Sequence, residues 1–143
     1  MFGASPDVSA RPRWAAGVAA VAILFGVVTV LSGGAVLFGG SAVGAAAGDA
    51  VPFVLWFNFV SGFAYVLAGA GLVLWRRWAA WLSAAIAVAT VLVFAAFGWH
   101  VASGVAFEMR TVGAMVLRSG TWIAIAAVSC RALGCLASKR AAD

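Results

Sequence analysis

Four apolar runs, each long enough to cross a bilayer and separated by arginine clusters or glycine-rich stretches, constrain this 143-residue chain more than any other feature. A span takes about 20 residues at about 1.5 Å rise each, and in hydrocarbon a helix is the local structure that satisfies its own backbone polar groups. The runs begin near Trp14, Pro52, Trp78 and Glu108. They predict an all-α fold, an integral membrane four-helix bundle with short loops and helices at about 14–38, 52–75, 78–100 and 108–133. The transmembrane domain is expected over 14–136, between a disordered cytoplasmic tail at 1–13 and a second cytoplasmic tail at 137–143. Residues 39–51, rich in Gly and Ala, read as a loop.

Composition excludes the main rival class. With 66% hydrophobic and 9% charged residues the chain lacks the polar surface a soluble domain needs. The net charge of +5 sits in short clusters at the ends of apolar runs, where it acts as a topology signal; no nucleic-acid partner is expected. Arg11, Arg13, Arg76, Arg77, Arg131, Lys139 and Arg140 fall on one side of a four-span arrangement, against Arg110 on the other. That bias predicts a multi-pass protein of the cytoplasmic (inner) membrane with both termini cytoplasmic. A cleavable signal peptide is the competing reading of the first run, given Arg11, Arg13 and the small residues Ala45–Ala47. The run exceeds the about 7–15 residues of a signal core, so an uncleaved first helix is preferred.

The fourth run holds the chemistry. Arg118 and Arg131 enclose twelve residues, roughly 18 Å of helix, too short for a hydrocarbon core of about 30 Å. One arginine must therefore lie within the membrane, and a span from Thr111 to Cys130 buries Arg118 without leaving a long structureless linker. Steps of three and four then align Glu108, Thr111, Met115, Arg118 and Trp122 on one face. On the opposite side Ala106, Gly113, Gly120, Ala127 and Gly134 recur every seven residues, a small-residue stripe expected to let another helix approach closely. The stripe also suggests a homo-oligomer or a larger membrane-protein partner.

Polar residues concentrate toward the outer half. Asn58, Thr90, Thr111, Arg118 and Trp122 are the candidate lining of a ligand pocket there, with Asn58 and Thr90 depth-matched to Arg118 as hydrogen-bond partners. His100, Glu108 and Met115 supply an imidazole, a carboxylate and a thioether. That donor set suits a soft metal ion, with copper the best match and haem, through a His/Met axial pair, less favoured. A single histidine and four acidic residues cannot build a His-rich zinc site or a conventional Ser-His-Asp triad.

The leading functional reading is thus a non-enzymatic membrane protein binding a small ligand or metal ion in its outer half. An accessory subunit of a larger complex is the alternative, and an interfacial lipid-acting enzyme using His100 and Glu108 the third. Cys130 and Cys135, five residues apart, would point about 140° from each other on a continuous helix, which disfavours a disulfide between them.

Overall fold

The computed structural model describes residues 11–135, and among them the chain is all-helical. The helices are α1 (Arg13–Phe38), α2 (Ser41–Ala47), α3 (Pro52–Val73), α4 (Arg77–Ala102) and α5 (Met109–Leu133). Four of them, all but α2, are long and apolar enough to cross a membrane. Residues 1–10 and 137–143 of the expected tails, with Lys139 and Arg140, lie outside the described residues.

The distribution of side chains is that of a polytopic membrane protein. Leu24, Leu31, Val60, Leu67, Leu92 and Leu117 are each more than half exposed. Alanine, glycine, serine and threonine dominate the contacts between helices. Such an arrangement is costly in water and favourable in lipid, where apolar side chains have a matching solvent and close backbone packing drives association.

The long helices alternate in direction. At one end Arg11 Nη1 donates to the Val73 carbonyl at 2.9 Å, Trp14 packs edge-on against Trp75 at 5.9 Å, and Arg77 Nη2 donates to the Gly134 carbonyl at 3.3 Å. This terminal end gathers Arg11, Arg13, Arg76, Arg77 and Arg131. The opposite, connection end carries the α1–α3 and α4–α5 links. The turn between α3 and α4 is tight because Trp75 takes a left-handed conformation, φ 53°, and the Arg76 N–H reaches back to the Gly71 carbonyl at 3.0 Å. That turn ends α3 at Val73, two residues before the expected boundary.

Within residues 39–51 the structure holds a feature that the expected loop lacks. Helix α2 forms between Gly40 (φ 85°) and Gly48 (φ 65°), and Arg110 Nη2 donates to the Ala46 carbonyl at 3.2 Å, satisfying an end that would otherwise be open. With no buried residue, α2 lies over the connection end without entering the apolar interior.

Helices α1 and α3 make the closest backbone approach. A Cβ on Gly26 would lie 2.8 Å from the Gly62 carbonyl oxygen, and one on Gly62 would lie 2.6 Å from Val30 Cγ2 and 3.1 Å from the Gly26 carbonyl. Only hydrogen side chains fit on both partners. The stripe expected to pack inside is different: a Cβ on Gly113 or Gly120 meets nothing within 4 Å, and Ala106, Gly113, Gly120 and Ala127 are exposed. Among the described residues no other helix packs on Gly113 or Gly120, so the expected close approach at these two within the chain is corrected. Large side chains on the opposite face of α5, Trp122 and Met115 among them, turn that face inward instead.

The C-terminus of α5 is a second correction. Helix geometry stops at Leu133, and Gly134 adopts φ 73°, ψ 33°. Cys135 therefore leaves the helical spiral, and its N–H returns to the Cys130 carbonyl at 3.0 Å. The 140° separation derived for a continuous helix does not apply.

Candidate functional site: a polar cavity at the connection end

Two apolar clusters bracket a polar layer. One, with Val51, Val54, Phe97 and Met115, lies toward the connection end; the other, with Tyr65, Leu72, Ile86, Trp122 and Ile125, lies toward the terminal end. On α5, Arg118 stands between Met115 of the first and Trp122 of the second. It is 7% exposed although its Cα is nine residues, or about 14 Å, from the start of the helix.

Two features turn this arginine toward the connection end. Helical side chains lean toward the N-terminus of their own helix, and the N-terminus of α5 is at that end. The guanidinium then reaches Asn58 on α3, whose Cα is about 9 Å from the start of that helix. Arg118 Nη1 donates to Asn58 Oδ1, and Met115 Sδ lies 3.8 Å from the same nitrogen. The Phe25 ring sits with its centroid 6.0 Å from Cζ, within cation–π range. No carboxylate pairs with Arg118 among the described residues, and its Nε is buried without a hydrogen-bond partner there.

A cavity of about 310 Å³ opens above the guanidinium. Thr29 and Ser32 from α1, Asn58 from α3, and Thr111 and Arg118 from α5 contribute its polar walls, while Glu108 and Arg110 stand at its rim. Glu108 Oε1 accepts from the Asp49 N–H at 3.2 Å, and Glu108 Oε2 lies 3.9 Å from Arg110 Nη2. The rim charges thus offset each other, and Arg118 leaves the cavity with a net positive wall.

Of the residues expected to line a pocket, Asn58, Thr111 and Arg118 share this cavity. Thr90 and Trp122 do not line it. Trp122 packs on Tyr65 with ring centroids 4.6 Å apart, and Thr90 is fully buried on α4 beside the Tyr65 hydroxyl. Tyr65 Oη, Thr90 Oγ1 and Trp122 Nε1 are all buried without a well-formed hydrogen bond among the described residues. The metal-donor candidates have separate neighbours. Met115 is in the apolar cluster on the connection-end side of Arg118, His100 packs edge-on to Phe53 at 5.8 Å, and Glu108 is at the cavity rim. No group of three or more His, Cys, Asp or Glu that could hold a metal ion occurs among the described residues.

No protein family, curated protein or solved structure matches the chain. The site consequently stands on its own residues. Depth along the helices puts Thr29 and Ser32 in the polar outer half and Arg110 at its cap, but does not single them out as lining residues. Thr29 and Ser32 carried a usable signal, hydroxyls three residues apart in an otherwise apolar helix, which puts both on one face.

Proposed function

We propose that this polytopic membrane protein binds a small ligand bearing a carboxylate or phosphate group in the cavity above Arg118. The observation that carries the reading is a buried arginine, without a carboxylate partner among the described residues, forming the floor of a polar-walled cavity. An unpaired charge at low dielectric is stabilised by an incoming opposite charge, and a guanidinium edge suits a planar or tetrahedral oxyanion. Thr29, Ser32 and Thr111 supply hydroxyls for the remaining oxygens. The volume of about 310 Å³ is near the lower limit for small-molecule sites. Copper at His100, Glu108 and Met115 is disfavoured by the same arrangement, because a cation at Met115 would share its surroundings with the Arg118 guanidinium.

Thermal melting of detergent-purified protein with inorganic phosphate, acetate or copper, together with elemental analysis, tests the reading. Phosphate or acetate is expected to raise the melting temperature of the wild type. Glu108→Gln is expected to strengthen that response by about two- to tenfold in affinity, since it removes a like charge from the rim at the cost of one exposed ion pair. Stoichiometric copper with no response to either anion would overturn the proposal.

The reading includes an orientation: a four-helix bundle in the inner membrane, both termini cytoplasmic, with the cavity facing outward. Arginines grouped at the terminal end support it. Reporter fusions after Arg77 and after Asp143 are expected to report cytoplasm, and one within 40–50 the outside. A reversed pattern at any of the three rejects the orientation.

A second reading, an accessory subunit docking through Ala106, Gly113, Gly120 and Ala127, is favoured by one observation. That face of α5 is open to close approach by a further helix.

A further inference from the structure

Cys130 and Cys135 meet at the terminal end through a turn that a continuous helix would not make. Gly134 in the left-handed region carries the chain back over the last turn of α5, and the Cys135 N–H donates to the Cys130 carbonyl at 3.0 Å. That hydrogen bond limits the two Cα atoms to a separation of about 7 Å at most, by summing standard bond lengths around it. Disulfides span about 4.4–6.8 Å between Cα atoms, so the turn brings the pair to the edge of that range or inside it. Each thiol is the other's side-chain neighbour, and both are free. Cys130 is half-buried and Cys135 is 8% exposed, so the first is accessible to a small reagent while the second is shielded by the turn.

We propose that Cys130 and Cys135 form a reversible intramolecular disulfide, a redox modification site separate from the polar cavity at the opposite end. The oxidant is a low-molecular-weight disulfide. The Cys130 thiolate attacks one of its sulfurs, forming a mixed disulfide and releasing one small thiol. The Cys135 thiolate then attacks Cys130 Sγ and releases the second. Two protein thiols lose two protons and two electrons to become one S–S bond, and the oxidant is reduced to two thiols.

The bond has a structural consequence at the junction of α4 and α5. Cys130 Sγ lies 3.8 Å from the Ala80 carbonyl as a thiol donor, and Arg77 Nη2 donates to the carbonyl of Gly134, inside the ring that the disulfide closes. Oxidation removes the thiol donor and ties the turn on which the Arg77 contact rests.

The test uses full-length reduced protein in detergent, incubated with oxidised glutathione, alkylated and weighed intact. The wild type is expected to end two hydrogens lighter, with no alkyl group and no glutathione. Cys130→Ser and Cys135→Ser are each expected to retain one alkylatable or glutathionylated thiol. Gly134→Val places a branched side chain in the left-handed region and is expected to slow ring closure about tenfold. A wild type that keeps two alkylated thiols, stops at a stable glutathione adduct, or links two chains would overturn the proposal. So would an unchanged closure rate in Gly134→Val.

Discussion

Arg118→Leu is expected to destabilise the protein by about 1–3 kcal/mol and to abolish its response to anions, although leucine is the more lipid-compatible residue. Two effects oppose each other. Removing a buried guanidinium relieves its desolvation, but an open polar cavity covers this one, so the relief is smaller than for a charge sealed in hydrocarbon. Against that, Asn58 Oδ1 loses its donor inside the protein, and the contacts to Met115 and the Phe25 ring disappear. Asn58 is half-buried against the same cavity, so its loss is partial, and together with the lost contacts of the buried Arg118 side chain to Met115 and Phe25 it outweighs the reduced desolvation relief. Asn58→Leu alone is expected to destabilise as well. The double variant should be less impaired than the sum by about 0.5 kcal/mol or more, because the two residues share one interaction. Chemical or thermal denaturation in detergent measures all three. A more stable Arg118→Leu protein that still responds to phosphate would mean that the arginine merely extends toward the interface.

Gly62→Leu is expected to have the largest effect on folding. A single methyl at this position already meets Val30 Cγ2 at 2.6 Å and the Gly26 carbonyl at 3.1 Å, so a leucine must push α1 and α3 apart. Overpacking of this kind costs typically about 1–3 kcal/mol and more where backbone is the obstacle. The displacement would also spread to the cavity, since Thr29 and Ser32 lie on the helix that moves. Gly120→Leu is the matched control. With open space at its Cβ it should leave monomer stability within about 0.5 kcal/mol of wild type. If the stripe docks a second copy, Gly120→Leu changes the oligomeric state measured by light scattering while leaving the melting of the monomer unaltered. Equal damage from both substitutions would contradict the close approach at Gly62 and the open space at Gly120.

Much of the candidate site was legible in one dimension and little in three. The isolation of Arg118 in an apolar run marked it, and counting helical rise from the ends matched it in depth to Asn58. Depth cannot distinguish neighbouring helices, which is why Thr90 was as good a candidate partner as Asn58 until the helices were arranged. Met115 and Trp122 share the Arg118 face by periodicity, yet both pack into apolar surroundings, because a face of five residues spans more than 20 Å and crosses several environments. The α5 stripe does not predict packing within the chain, for a related reason. Small residues permit close approach without requiring it, and the permission used in this chain lies at Gly26 and Gly62.

What the sequence by itself determined is therefore the set of structures that lipid allows. Four apolar segments of spanning length must be helical because no water is present to satisfy an exposed backbone, and their ends follow from arginine, proline and glycine. What only the tertiary structure decided is which side chains meet. The pairing of α1 with α3 depends on two glycines opposing one another across a helix interface. The cavity depends on hydroxyls from α1 reaching the same space as Arg118. The proximity of Cys130 and Cys135 depends on the chain leaving the helix at Gly134, whose left-handed conformation removes the separation of about 140° on a continuous helix. Helix formation is governed by each residue's own solvent and backbone, whereas these meetings depend on the relative placement of segments far apart in the chain or on one turn conformation, and hydropathy carries no information about either.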